Sequence, residues 1–112
     1  MSIKNIIGHI IKCSLDKLNI DNININDINI EIPAKKENGD YSSNIALTLT
    51  KKLHKSPMDI ANTIVSNIEE NDIIEEIKIA NPGFINFYLK KDFLLSYINL
   101  ILEKKRNYRI TI

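Results

Sequence analysis

The chain has 112 residues, of which 44% are hydrophobic and 26% charged, and its formal net charge is +1. That length suits one domain, the apolar fraction is enough for a buried core and excludes a disordered chain, and the near-neutral balance does not announce a strongly charged partner. Charge is nevertheless uneven, with six basic residues against two acidic ones from Lys90 onward and an acidic stretch from Glu69 to Glu76. The lone cysteine, Cys13, excludes an internal disulfide, and no apolar run approaches the roughly 18–20 residues of a membrane helix. The N-terminus lacks the parts of a signal peptide, so a cytoplasmic protein without a membrane partner is expected.

Ile3, Ile6, Ile7, Ile10, Ile11, Leu15 and Leu18 recur at helical spacing and predict an amphipathic helix over 2–19. Cys13 and His9 lie on or beside that stripe, and with no partner groups nearby they read as core edge and surface. An Asn-rich turn region follows from Asp21 to Asp27. Ile28, Ile30 and Ile32 then alternate with Asn29 and Glu31 as in a half-buried strand that Pro33 ends.

Residues 34–44 read as a polar connection with a turn at Asn38-Gly39. Gly39-Asp40 admits two readings, a backbone turn that grips a phosphate or an Asp or Ser cap on the next helix. Ile45, Ala46, Leu49 and Leu53 make that helix, with Ser42 or Ser43 as its candidate caps. Ser56-Pro57-Met58-Asp59 is a second helix start, with Ser56 as cap and Pro57 at the first helical position, and the apolar stripe runs on to about Glu70.

Ile77 and Ile79 alternate with Glu76 and Lys78 in a strand over 73–80. Asn81-Pro82-Gly83 turns the chain into a strand over 84–89, which predicts an antiparallel hairpin. In that last strand Ile85, Phe87 and Leu89 share a core face, while Phe84, Asn86 and Tyr88 share the other, which mixes rings with an amide. Asp92 is expected to cap a last helix carrying Phe93, Leu94, Tyr97, Ile98, Ile101 and Leu102. The order helix, strand, helix, helix, strand, strand, helix gives an α+β class with a small antiparallel sheet flanked by helices. Residues 1–106 are read as one domain and 107–112 as the start of a linker.

No catalytic constellation stands out. His9 and His54 have no nucleophile at a recognisable turn, there is no Gly-rich nucleotide loop, and the acidic group Glu69, Glu70, Asp72, Glu75, Glu76 has no calcium-loop spacing and reads as a solvated face. Neither catalytic nor metal-binding residues are assigned, and the chain reads as a binding module.

Gly39-Asp40-Tyr41-Ser42-Ser43-Asn44-Ile45-Ala46, then Lys51-Lys52-Leu53, then Ser56-Pro57 with Ile60-Ala61, then Asn81-Pro82-Gly83-Phe84-Ile85-Asn86-Phe87 occur in an order and spacing that resemble the N-terminal additional domain of arginyl-tRNA synthetases. The resemblance implies a class I enzyme acting on arginine, ATP (with Mg) and tRNA(Arg), in which this domain leans on the tRNA elbow and reads a D-loop base without catalysing. It implies that Phe84 stacks on the base, Asn86 bonds to its edge and Asn81 sits beside them; basic groups such as Lys90 and Lys91 are expected to add phosphate contacts. Many bacterial relatives carry Gly at the position of Asn81. The family's His-x-Gly-His and Lys-Met-Ser-Lys-Ser signatures do not occur here, so ATP and arginine are expected to bind a catalytic domain beyond the linker. The alternative is a protein–protein interaction domain that docks through the Phe84/Tyr88 face.

Overall fold

The computed structural model describes residues 3–20 and 22–93. Helix α1 spans Ile3–Lys17 and buries Ile7, Ile11 and Leu15. It ends in Asn19, which takes the left-handed conformation (φ 59°), while the Ile20 N–H bonds back to the Leu15 carbonyl and the Asn19 N–H to the Asp16 carbonyl. This pair of bonds satisfies carbonyls that the end of a helix leaves without partners.

Three further helices follow the polar connection: α2 (Ile45–Thr48), α3 (Thr50–Leu53) and α4 (Pro57–Ser66). The single helix expected over 45–53 is thus two short ones. Thr48 and Thr50 explain the break, since their hydroxyls donate to the Ile45 and Leu47 carbonyls three residues back and compete with the regular ladder. The start of α4 matches expectation, with the Ser56 hydroxyl accepting the Asp59 N–H at 3.2 Å and Pro57 at the first position. It stops at Ser66, short of Glu70, where the Asn67 amide donates to the Thr63 carbonyl. The buried Ser14 hydroxyl donates to the Ile64 carbonyl at 2.6 Å and ties α1 to α4.

The strands are β1 (Ile30–Glu31), β2 (Tyr41–Ser43), β3 (Ile74–Ala80) and β4 (Phe84–Leu89), arranged β1-β2-β4-β3 with every pair antiparallel. The expected hairpin is present as β3 and β4. The strand expected over 28–32 shrinks to two paired residues, and Ile32 is 67% exposed because the chain leaves the sheet there. Strand β2 falls inside the stretch read as a connection. Its Ser42 and Ser43 carry no apolar alternation, and pairing to β1 on one side and β4 on the other supplies what the residues do not.

One face of the sheet carries the core. Ile85 and Phe87 are fully buried, Leu89 nearly so, and they pack with Ile7, Ile45 and Ile60 among others. Gly83, in the turn before β4, lies against α4: a Cβ there would stand 2.6 Å from the Pro57 Cβ. That contact fixes the hairpin turn on the helix start. Residues 91–93 are helical, so the helix begins one residue before the expected Asp92 cap, and the rest of the expected last helix and the linker over 107–112 lie outside the described residues.

Candidate nucleic-acid interface on the outer face of the sheet

The register sets the outer face. Glu31 pairs with Ser42, Ser42 with Asn86, and Asn86 with Lys78, so these four form a row across all four strands. Phe84 pairs with Ala80 on one side of the row, and Tyr88 with Glu76 on the other. Alternation therefore places Phe84, Asn86 and Tyr88 on one face, as the sequence indicates, with Ile85, Phe87 and Leu89 behind them.

Asn86 is not an exposed reader in the simple sense. It is 5% exposed, and its amide oxygen accepts the Ser42 hydroxyl at 2.9 Å. Burial without such a partner would cost that oxygen about 1–3 kcal/mol. The segment 33–38 folds over this face. The Tyr88 hydroxyl donates to the Glu37 carbonyl and anchors that segment, and Lys78 Nζ lies 5.3 Å from the centre of the Tyr88 ring. Tyr88, which the sequence left without a role, is thus a strut under a loop.

Gly39 and Asp40 finish the loop, and neither the phosphate grip nor an Asp40 cap is formed; the N-cap position of α2 is Asn44. The Gly39 N–H donates to the Lys36 carbonyl and the Asp40 N–H to the Phe87 carbonyl at 2.8 Å, so both amides are engaged and cannot grip a phosphate. The Asp40 carboxylate does not cap a helix either; it accepts the Leu89 N–H at 2.8 Å and extends the β4 ladder. Ser43 is the residue that meets the next helix, its hydroxyl accepting the Ile45 N–H at 3.2 Å, while Ser42 bonds across the sheet.

A cleft of about 360 Å³ opens between this loop and the hairpin turn. Its polar lining is Glu31, Asn38, Ser42, Asn81 and Asn86, and Pro33, Ala34, Ala80 and Phe84 supply the apolar part. Phe84, Asn86 and Asn81 are therefore brought together, as expected. Glu31 and Asn38 join them and were not singled out from sequence. Only the sheet register and the fold of the loop bring them in, and neither has a local signal. Lys90 and Lys91 are not part of this group. They follow the far end of β4, six and seven residues beyond Phe84, or about 20 Å at strand spacing. Lys90 instead borders a groove with Glu70, Asp72 and Glu75.

On the helical side, Ile6, Ile10, Cys13 and Ile68 line a mostly apolar groove. His9 and Cys13 are both exposed there, so Cys13 is less buried than its place on the helix stripe suggests. Lys17 closes one end with an ion pair to Glu69 at 2.6 Å, and that hydrogen bond and charge hold the Glu69 carboxyl below its usual range. Among the described residues no group of three or more His, Cys, Asp or Glu is placed to hold a metal ion, and no helix is long and apolar enough to cross a membrane.

A small antiparallel sheet with helices behind it, and an aromatic ring among amides in an open cleft in front, defines a small α+β domain. Residues 5–89 match the family model described as the arginyl tRNA synthetase N terminal domain. The chain is 44% identical over 79 residues to an arginine–tRNA ligase of Thermotoga maritima, covering 70% of this chain and 14% of that protein. To the arginine–tRNA ligase of Listeria monocytogenes serotype 4a it is 36% identical over 104 residues, covering 92% and 19%. Among solved structures, the arginyl-tRNA synthetase of Plasmodium falciparum superposes with a TM-score of 0.69 at 31% identity over 81% of this chain and 16% of that one. That of Thermus thermophilus gives 0.73 over 86% and 15%, at an identity of 22% that speaks to the fold alone.

The chain belongs to the arginyl-tRNA synthetase N-terminal domain family. It spans less than a fifth of the length of these curated relatives.

Proposed function

We propose that this chain is the tRNA-contacting domain of an arginine–tRNA ligase and meets a looped base of tRNA(Arg), in the D-loop at the tRNA elbow, with the outer face of its sheet. Phe84 stacks on the base, Asn86 bonds to its edge, and Asn81 closes the site from the hairpin turn. The observation that carries this reading is the company Phe84 keeps: a half-buried ring beside amides in a cleft, on a strand whose back is locked into the core. Looped RNA is recognised in this way, by stacking of splayed bases on aromatic rings and by hydrogen bonds to their edges.

The parent enzyme joins arginine to tRNA(Arg) with ATP and Mg in the cytoplasm, in a catalytic domain distinct from this one. The present domain contributes affinity and register and no chemistry. Lys91, and Lys90 beside it, meet phosphates at a distance from the stacked base, since about 20 Å of strand separates them from Phe84.

A stacked base contributes about 1–3 kcal/mol, which corresponds to roughly a 5- to 150-fold change. Phe84→Ala in the full enzyme should therefore raise the apparent KM for tRNA(Arg) within that range and leave ATP–pyrophosphate exchange with arginine unchanged. An unaltered dependence on tRNA would remove Phe84 from the interface. Weakened docking of a neighbouring domain or subunit in the Phe84→Ala variant, with tRNA binding unchanged, would favour a protein partner on this face.

A further inference from the structure

Among the described residues, the cleft around Phe84 is lined by no lysine or arginine, and the one charged residue in that lining is a carboxylate, Glu31. Lys78 shares the sheet face but is drawn to the Tyr88 ring and lies 3.9 Å from Glu76. A phosphate placed here would face the Glu31 carboxylate, since the exposed Lys35 and Lys36 of the loop are not among the residues that line the cleft. The groups that fit are uncharged: a base over Phe84 and hydroxyls that donate to a carboxylate. Glu31 is exposed, and its Oε1 is steadied by the Asn29 amide at 3.1 Å. It stands two strands from Asn86, with Ser42 between them. That is about 10 Å at sheet spacing, on the order of the long dimension of a nucleoside. Asn38 lines the same cleft from the loop that Tyr88 anchors.

From this arrangement we infer that Glu31 is a second specificity residue of the site: its carboxylate accepts the ribose 2′-hydroxyl of the nucleotide whose base stacks on Phe84, so that the cleft selects a ribonucleoside and excludes phosphate. Asn38 closes the sugar side as a neutral donor. The inference rests on the proposed RNA reading of the face and adds to it the part of the nucleotide held and the residue holding it. It also gives the carboxylate a purpose at a surface that meets a polyanion, because a 2′-hydroxyl bonded to an ionised acceptor distinguishes RNA from DNA.

The test is a cycle of protein and RNA changes. The chain and its Glu31→Ala, Glu31→Gln and Phe84→Ala variants are titrated with a set of tRNA(Arg) transcripts, each carrying one 2′-deoxynucleotide at a successive D-loop position. One position is expected to weaken the unmodified chain by roughly tenfold. At that position Glu31→Ala should show no further loss, and Glu31→Gln, which keeps an acceptor of the same shape, should retain part of the dependence. The ratio should hold between about 50 and 200 mM salt, since no phosphate contact is involved. The inference is overturned if Phe84→Ala weakens tRNA binding while no position is coupled to Glu31. It is equally overturned if Glu31→Ala tightens every transcript alike and does so less as salt rises, which is the signature of simple repulsion. Loss of the Phe84→Ala effect itself would overturn the RNA reading of the whole face.

Discussion

Phe87→Ala should cost the fold about 3–5 kcal/mol, the range for removing a fully buried aromatic ring. Phe87 is 0% exposed, paired with Tyr41 on β2 and Ile77 on β3, and it faces the helices. Small domains carry about 5–15 kcal/mol of stability in all, so this one change should consume a large share of it. Phe84 lies three residues earlier on the same strand and faces the other way. Phe84→Ala should spare most of the stability and weaken tRNA binding instead. Urea unfolding of both variants beside tRNA titration separates the two effects. A Phe87→Ala loss under about 1 kcal/mol would mean that the sheet is not packed on its helices as described.

Gly39→Ala should be nearly as damaging, with an expected loss of roughly 2–6 kcal/mol from two sources. The first is backbone conformation, since Gly39 sits at φ 97° and ψ 175°, a region that essentially only glycine occupies. The second is space. A Cβ at Gly39 would stand 2.8 Å from the Phe87 carbonyl oxygen and 3.3 Å from the Phe87 carbonyl carbon and nitrogen, and strand backbone cannot step aside as a flexible side chain can. Relief would have to come from moving residues 37–40 off β4, which breaks the Asp40 N–H bond to Phe87 and the Leu89 N–H bond to Asp40. The midpoint of urea unfolding should fall with little change in slope, and tRNA binding should fall with it because Asn38 and the cleft wall move. A variant with wild-type stability would show that the loop is not held to β4 at this point.

The parts of this fold legible in the sequence are those whose signal is local. Ser56-Pro57 announces the start of α4 because the cap and the proline act within one turn. The β3–β4 hairpin follows from Ile77 and Ile79, the Pro-Gly turn, and Ile85, Phe87 and Leu89, where period-two patterning is unbroken. What escaped depends on pairing across the chain. Tyr41-Ser42-Ser43 has no strand pattern and becomes β2 only between β1 and β4. The alternation of Ile28, Ile30 and Ile32 overstates β1, because Ile32 has no partner strand to cover it.

The site follows the same division. Alternation shows that Phe84, Asn86 and Tyr88 share a face, and the family resemblance adds Asn81. That Asn86 is held by Ser42, that Tyr88 braces the Glu37 carbonyl, and that Glu31 and Asn38 enter the cleft are consequences of register and loop path. Asp40 is the plainest case. Its place before a helix suggests a cap, and the structure gives its carboxylate to a strand amide 49 positions away.

The outer face of the sheet is the RNA surface in this account, and a backbone amide shift map of the 15N-labelled chain titrated with tRNA(Arg) tests that most directly. The largest changes should fall on Phe84, Asn86, Asn81 and the loop 33–38, with Ile6, Ile10 and Ile68 on the helical side unmoved. Changes centred on that helical groove, with the Phe84 region silent, would contradict it.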